Sequence, residues 1–348
     1  MIGTEGALAS GARWFARKLQ LCPAIGAEGI VASGCTARNR IAARGTARRE
    51  HEIDNRGKDQ AKRHGDAVPR PSDRSKLAPG DVPRQTAQMN APSPPRIFSS
   101  RRRLNARRRM AKMRSSGTAV STLAREIAGD ALDRLGFLNR NFAKVLVIGD
   151  TTGAFADGLD ASAVVTRADP SDLFGLAIDE ECPLPGGPYD LIASLGLLDS
   201  VNDLPGALML MRRALAPDGL MIASFSGAGS LPVLRAAMLA ADGERPAPRI
   251  HPQVDVRAAG QLMTRIGFAS PVVDGWGFDV GFENLDQLVG DLRAQAIGNV
   301  LADPGPPLGK AALMRARKTF ADEAGSDGLV RERFEVLTLS GWSPALRT

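Results

Sequence analysis

The sequence predicts a doubly wound α/β fold built around a mostly parallel sheet. Short, wholly apolar and β-branched runs, typical of buried parallel strands, recur from residue 145 onward. Between two of these runs, residues 204–215 place Leu204, Leu208 and Met211 at helical spacing. Alternating strands and helices are typical of parallel sheets that helices cover on both faces. The four runs are residues 145–148, 163–166, 191–193 and 220–225.

The other predicted elements continue this alternation. An amphipathic helix is predicted to begin at Val120, because Leu123 and Ile127 lead an apolar stripe at helical spacing. Pro217–Gly219 predicts a turn between the helix at 204–215 and the strand that follows it. The later elements are predicted to be helices at 257–266 and 285–296 and strands at 271–274 and 334–339.

Charge is divided unevenly along the 348 residues. Residues 1–114 contain 25 of the 45 basic residues and 9 of the 38 acidic ones, so this part is +16 and the remainder is −9. The isoelectric point near 9.8 therefore reflects the N-terminal part and does not indicate a specific nucleic-acid partner for the acidic core. Eight basic residues fall within 101–114, which predicts either an anionic contact surface or a solvated helix.

The N-terminal part divides into two predicted regions. Residues 1–94 predict a disordered extension, because the stretch 44–84 has too few large apolar residues to offset chain entropy. Two interpretations stay open: a mitochondrial transit peptide, or sequence upstream of a true start at Met89. We then predict basic and amphipathic helices at 95–140 and the α/β domain at 141–348.

Cysteine usage and hydropathy indicate the cellular compartment of the protein. Cys22, Cys35 and Cys182 are far apart and lack CxxC spacing, which indicates neither a disulfide framework nor a structural zinc site. No apolar run approaches the roughly 20 residues that span a bilayer, and no hydrophobic signal-peptide region is present. We predict a cytoplasmic protein with no bound metal and no transmembrane segment, or a matrix protein if the opening is a transit peptide.

Small and acidic residues follow the first two predicted strands. Gly149–Gly153 predicts a tight turn before a helix from Ala154, and glycines there allow the backbone to approach a ligand closely. About twenty residues later, Asp169 ends the second strand, where a carboxylate can accept hydrogen bonds from both ribose hydroxyls. Asp179 lies in an acidic loop that either binds an adenine amino group or faces water. Because neighbouring parallel strands bring the glycine turn and Asp169 to the same edge of the sheet, these features together predict a nucleoside site.

Longer motifs are more specific than the glycine turn. Tyr189–Ser194, Asn202–Leu208 and Leu215–Leu220, in this order, resemble the class I S-adenosylmethionine-dependent methyltransferases, in particular the type 11 methyltransferase domain. The resemblance extends over about residues 97–344. A narrower likeness, to the branch containing a mitochondrial complex I assembly methyltransferase-like protein and its bacterial relatives, involves His251–Pro252, Asp255–Gly260, Gly267–Phe268, Pro271–Asp274, Phe334–Val336 and Gly341–Pro344.

This resemblance implies a Rossmann-like sheet of seven strands with the last strand antiparallel, and S-adenosylmethionine as the cofactor. Asp199 is the nearest candidate for a catalytic proton acceptor. Thr151 departs from the family pattern, since it adds a Cβ where the backbone is expected to need a positive φ. The residues that the resemblance places around the cofactor are Gly149, Asp150, Thr151, Gly153, Asp169, Asp179, Ser194 and Leu195.

Three functions stay open from the sequence. The first is methyl transfer to a small molecule or protein side chain, a reaction that depends more on alignment than on side-chain chemistry. The second, implied by the narrower resemblance, is modification of a respiratory complex I subunit, for example by arginine hydroxylation. The third is a non-catalytic cofactor-binding module, based on departures from the family at Val147, Thr151 and the loop 196–200.

Two aromatic features also have alternative interpretations. His251 is the only histidine of the predicted domain, so a catalytic triad or a multi-histidine metal site is hard to assemble. It is expected either to pack against or cap a loop near the site, or to contact substrate. Trp276 and Phe278 either wall a substrate pocket or pack in the core.

Overall fold

A computed structural model describes residues 96–116, 121–173 and 175–345. The predicted extension at 1–94 and the predicted helix start at Val120 lie outside the described residues. The elements, in chain order, are α1 (Ser100–Ser115), α2 (Thr122–Leu138), β1 (Lys144–Ile148), α3 (Ala154–Asp157), β2 (Val164–Ala168), β3 (Tyr189–Leu195), a 3-10 turn (Leu198–Ser200), α4 (Leu204–Ala214), β4 (Leu215–Ser226), α5 (Pro232–Asp242), α6 (Val256–Ile266), β5 (Ala269–Phe282), α7 (Leu285–Ala294), α8 (Lys310–Ala321) and β6 (Val330–Trp342).

The described strands form one mixed sheet in the order β2-β1-β3-β4-β6-β5. Strands β1 to β4 pair in parallel, whereas β6 runs antiparallel to both β4 and β5. The carboxyl ends of β1, β2 and β3 therefore meet at one edge, which is where ligands bind in open α/β sheets. This topology confirms the predicted doubly wound α/β fold with an antiparallel last strand.

Two details of the predicted sheet are wrong. The described residues form six strands instead of seven, and the segment after β2 contributes only a parallel bridge between Asp169 and Ala177. The turn predicted at Pro217–Gly219 lies inside β4, where Asp218 adopts a φ of 58°. The register of β4 against β3 shifts at this irregularity. The part of β4 before it pairs with the start of β3, and the part after it pairs with the centre of β3.

Helices cover both faces of the sheet, as the alternating side chains of β1 require. Val145 and Val147 face a core layer that includes residues of α2, α5, α7 and α8. Leu146 and Ile148 face the opposite layer, to which α4 and α6 contribute. The four apolar side chains of β1 are all fully buried, which explains the uninterrupted apolar run in the sequence. Among the described residues, no helix is long and apolar enough to cross a membrane.

Candidate functional site

The glycine turn and Asp169 lie at the same edge of the sheet, because β1 and β2 are parallel neighbours. The Gly149 amide donates to the Ala168 carbonyl (3.0 Å), and the Arg167 guanidinium donates to the Asp150 carbonyl (3.0 Å). These bonds join the turn after β1 to the end of β2. The sequence-based expectation that parallel strands bring the two features together therefore agrees with the geometry.

Within the turn, the two positions that need a positive φ are both glycines. Gly149 has a φ of +83° and Gly153 a φ of +80°. Thr151 does not adopt a positive φ, so the strain expected there from the sequence is absent. The Asp150 side chain is buried and accepts hydrogen bonds from the amides of Gly153 and Ala156, both at 3.0 Å. Asp150 thus holds the turn in shape.

A cleft of about 500 Å³, here called the first cleft, opens beside this turn. Its floor includes Gly149, Thr151 and Gly196, and α2 supplies an apolar wall that includes Ile127. Gly196 has a φ of +70°, and no atom lies within 4 Å of the position that a Cβ would take. Leu195 and Asp150 also line this cleft. Glycine backbone, open space and an apolar wall suit a nucleoside-containing cofactor.

The Asp169 carboxylate, predicted to be free for a ribose, already has partners. Asp169 is fully buried, and Arg107 from α1 binds it with Nε at 3.2 Å from Oδ1 and Nη2 on Oδ2. Ser171 donates from its amide (2.9 Å) and its hydroxyl (2.6 Å) to the same Oδ1. The open acceptor predicted from the sequence is therefore occupied by a guanidinium, because α1 packs over this edge of the sheet.

A second ion pair lies one helical turn earlier on α1. Arg103 donates to both oxygens of Glu180 at 2.8 and 2.7 Å, and Glu180 is fully buried. The neighbouring Asp179 is exposed and accepts from the Glu181 amide (3.0 Å). Asp179 lines a separate cleft of about 570 Å³ that also contains Arg103 and Glu180. Glu180, which the sequence-based prediction did not single out, is therefore the buried acid of this loop.

The basic helix α1 has both buried and exposed cationic side chains. Arg103 and Arg107 are four residues apart, which places them on one helix face, and both turn toward buried carboxylates. That spacing alone does not identify them, because Arg108 and Lys112 share it and are exposed. The residues of α1 that remain exposed include Arg101, Arg102, Arg108, Arg109 and Lys112.

Ser194 does not line the first cleft, although Leu195 beside it does. Ser194 pairs in register with Ile148 and Ala223, whose side chains belong to the opposite core layer. Its hydroxyl is fully buried and has no hydrogen-bond partner among the described atoms. Of the two predicted contacts at the end of β3, only Leu195 therefore borders the cleft.

Asp199 lies where the first cleft meets a second pocket. This second pocket has a volume of about 900 Å³ and shares Asp199, Ser226 and Ile297 with the first cleft. Burial raises the pKa of Asp199, while the charges of His251, Arg103 and Arg107 act in the opposite direction. A carboxyl group at the junction of two cavities, with a raised pKa, is suited to proton transfer.

His251 lines the second pocket and also holds the loop beside it. Its Nε2 accepts a hydrogen bond from the Val300 amide (3.0 Å), and its ring meets Phe98 edge to face at 5.0 Å. Burial lowers the pKa of His251, although the charge of Asp199 acts in the opposite direction. The loop-capping role is therefore present, and the side chain also borders the pocket.

Trp276 and Phe278 pack within the sheet layer and do not line either of these two cavities. Their rings stack at 5.8 Å, and Phe278 stacks in turn on Phe334 at 5.7 Å. Trp276 is buried on the β5 strand. Of the two alternatives, core packing describes these aromatics.

The stability of the protein should depend on pH through His251. Its pKa in the folded chain lies below the ordinary 6.5, so the unfolded chain binds more protons as the pH falls below about 6.5. The free energy of unfolding should therefore fall between pH 7 and pH 5. His251→Gln, which keeps an acceptor for the Val300 amide, should lose this part of the decline in urea titrations. An equal decline in both proteins would contradict the assignment.

Comparison with known proteins finds a matching family model and several relatives of this chain. A family model described as a methyltransferase domain matches residues 120–270. The mitochondrial arginine-hydroxylase NDUFAF5 of Danio rerio is 28% identical over 276 residues, covering 72% of this chain and 86% of that protein. The malonyl-[acyl-carrier protein] O-methyltransferase of Gallionella capsiferriformans is 28% identical over 255 residues, covering 66% and 87%. The chain therefore contains a methyltransferase domain at residues 120–270, and its cofactor is S-adenosylmethionine.

Proposed function

We propose that the first cleft holds S-adenosylmethionine and that the second pocket holds the methyl acceptor, a small molecule or a protein side chain. The observation that carries this proposal is the junction at Asp199, where the two cavities share a wall. Bound S-adenosylmethionine supplies a methyl group that its sulfonium already activates. The protein's task is then to align two ligands, which alone can contribute about 7 to 11 kcal/mol.

The predicted cofactor-binding residues have distinct proposed roles. The turn from Gly149 to Gly153, together with Leu195, gives close backbone contact with the cofactor. Asp169 is proposed to accept hydrogen bonds from the ribose. Since Arg107 occupies both oxygens of Asp169, a ribose contact requires Arg107 to release at least one of them. Asp179, on the separate cleft, is proposed to contact the adenine.

Asp199 is the proposed proton acceptor for the nucleophile. Its position between the cavities lets it reach a group that enters from the second pocket, and its raised pKa favours uptake of a proton. The positive charges of Arg103 and Arg107 stabilise the ionised form of this carboxyl group. His251 lies close enough to Asp199 for a charge on either group to act on the other.

Asp199→Asn tests this proposal. Calorimetry on the full chain should detect S-adenosylhomocysteine, and labelled S-adenosylmethionine should methylate material in a lysate of host cells that lack the gene. Asp199→Asn should lower the methylation rate about 100-fold, because a proton acceptor contributes at least that much. Its affinity for S-adenosylhomocysteine should remain near that of the parent. Asp286→Asn, at an exposed surface ion pair, is the matched control.

Three results would oppose the proposal in different ways. No binding at millimolar S-adenosylhomocysteine would remove the first cleft as the cofactor site. Binding without any methylated product would favour the non-catalytic module. Equal rates in Asp199→Asn and Asp286→Asn would remove Asp199 from the reaction.

A second candidate function is modification of a respiratory complex I subunit, such as arginine hydroxylation. The likeness to the Danio rerio arginine-hydroxylase over 86% of its length favours this candidate. Deleting the gene and measuring subunit masses tests it, since unchanged masses and normal assembly would oppose it. The cytoplasmic location stays a prediction, with the mitochondrial matrix as its alternative.

A further inference from the structure

The second pocket has a predominantly apolar interior. Leu231, Leu234 and Met238 line it from the α5 side, and Val289 and Leu292 line it from α7. Apolar walls with a few polar groups are typical of small-molecule sites. The second pocket, whose volume of about 900 Å³ includes the open space at its mouth, therefore suits a ligand with a hydrocarbon or aromatic body.

Two arginines line this pocket, and their environments differ. Arg249 pairs with Asp242 at 2.7 Å and also donates to the Pro306 carbonyl (2.5 Å). Arg293 is exposed in the last turn of α7 and forms no ion pair with any residue that the structure describes. The pocket therefore offers one cation, Arg293, whose charge is available to a ligand.

The acidic side of the pocket is less available. Asp199 is the carboxyl group in its lining, and the charges of Arg103, Arg107 and His251 already act on it. A cationic ligand would therefore gain little from Asp199, whose negative charge is partly compensated. It would also be repelled by the unpaired Arg293. An anionic ligand would gain a partner at Arg293 and would meet little opposing charge.

We propose that the methyl acceptor is an apolar carboxylate, whose hydrocarbon or aromatic body fills the second pocket and whose carboxylate binds Arg293. The group to be methylated is then the part of the ligand that lies next to Asp199, which lines the same pocket. This inference rests on the proposed function, because it treats the second pocket as the acceptor site. It assigns to that site a substrate class that is distinct from an arginine side chain.

Three probes of one shape test the charge preference: phenylbutyrate, phenylbutylamine and phenylbutanol. Each is titrated by calorimetry into the full chain saturated with S-adenosylhomocysteine. Phenylbutyrate should bind several-fold more tightly than the other two. Arg293→Gln should weaken phenylbutyrate about three- to fivefold, as expected for a partly exposed ion pair, without changing the alcohol. Arg265→Gln, also exposed in the last turn of a helix, is the matched control.

Two cavity-filling variants locate the bound probe. Leu234→Trp and Val289→Trp each fill the pocket from a different helix and should abolish phenylbutyrate binding. Retained affinity for S-adenosylhomocysteine shows that either variant is folded. Equal binding of the three probes, no binding of phenylbutyrate, equal effects of Arg293→Gln and Arg265→Gln, or unchanged binding in a folded tryptophan variant would overturn the inference. Loss of S-adenosylhomocysteine binding by the parent would instead overturn the proposed function.

Discussion

Asp169→Asn is expected to lower the free energy of unfolding by about 3 to 5 kcal/mol, the range for removing one partner of a buried ion pair. The carboxylate is fully buried, and the Arg107 side chain is only 5% exposed. Without the charge of Asp169, Arg107 would remain buried beside a neutral amide. Urea titrations of the full chain, followed by circular dichroism, measure the loss.

The double variant Arg107→Met/Asp169→Asn tests whether the loss of stability comes from an unpaired buried charge. It should recover much of the stability, because an apolar side chain leaves no unpaired charge. Asp218→Asn supplies the same chemical change at an exposed pair with Arg140, where the effect should stay below about 1 kcal/mol. Similar losses in Asp169→Asn and Asp218→Asn would contradict the assigned importance of the buried pair.

Gly149→Ala is expected to disrupt the first cleft and to weaken S-adenosylhomocysteine binding at least about tenfold, because small displacements at an aligned site have large effects. A Cβ at this position would lie 2.5 Å from the Leu195 carbonyl oxygen and 2.5 Å from a methyl group of Leu197. The positive φ adds strain of about 1 to 3 kcal/mol. Calorimetry and urea titration measure the two effects.

Gly196→Ala distinguishes steric clash from backbone strain. Gly196 also has a positive φ, but a Cβ there would meet no atom within 4 Å. We expect a loss of stability of about 1 to 2 kcal/mol, from the left-handed conformation alone. If Gly149→Ala had no larger effect than Gly196→Ala, contact between the turn and β3 would not be what fixes the cleft.

Elements with a strong local signal could be predicted from the sequence. The apolar run of β1 is buried on both faces, and the Leu123 and Ile127 stripe of α2 packs on the sheet. Helix α8 was missed because only Ala316 and Phe320 along it are buried, which leaves a weak apolar period. Helix α5 was missed for a similar reason, since Ala237 and Ala241 supply two of its three buried positions.

In the candidate site, contacts between residues that are far apart in the sequence could not be predicted from local patterns. Parallel strand order predicted that Gly149 and Asp169 would share one edge of the sheet. The pairing of Arg107 with Asp169 joins residues 62 positions apart, and no periodicity encodes such a contact. The local sequence also could not show whether Asp179 or Glu180 is buried, because this depends on the position of Arg103.

Helix α1 has a practical consequence for preparing this protein in the laboratory. The family model begins at residue 120, whereas both carboxylates that α1 neutralises lie inside the matched region. A recombinant fragment cut at that boundary would bury Asp169 and Glu180 without their counterions. An expression boundary placed before α1, which begins at Ser100, keeps both pairs together.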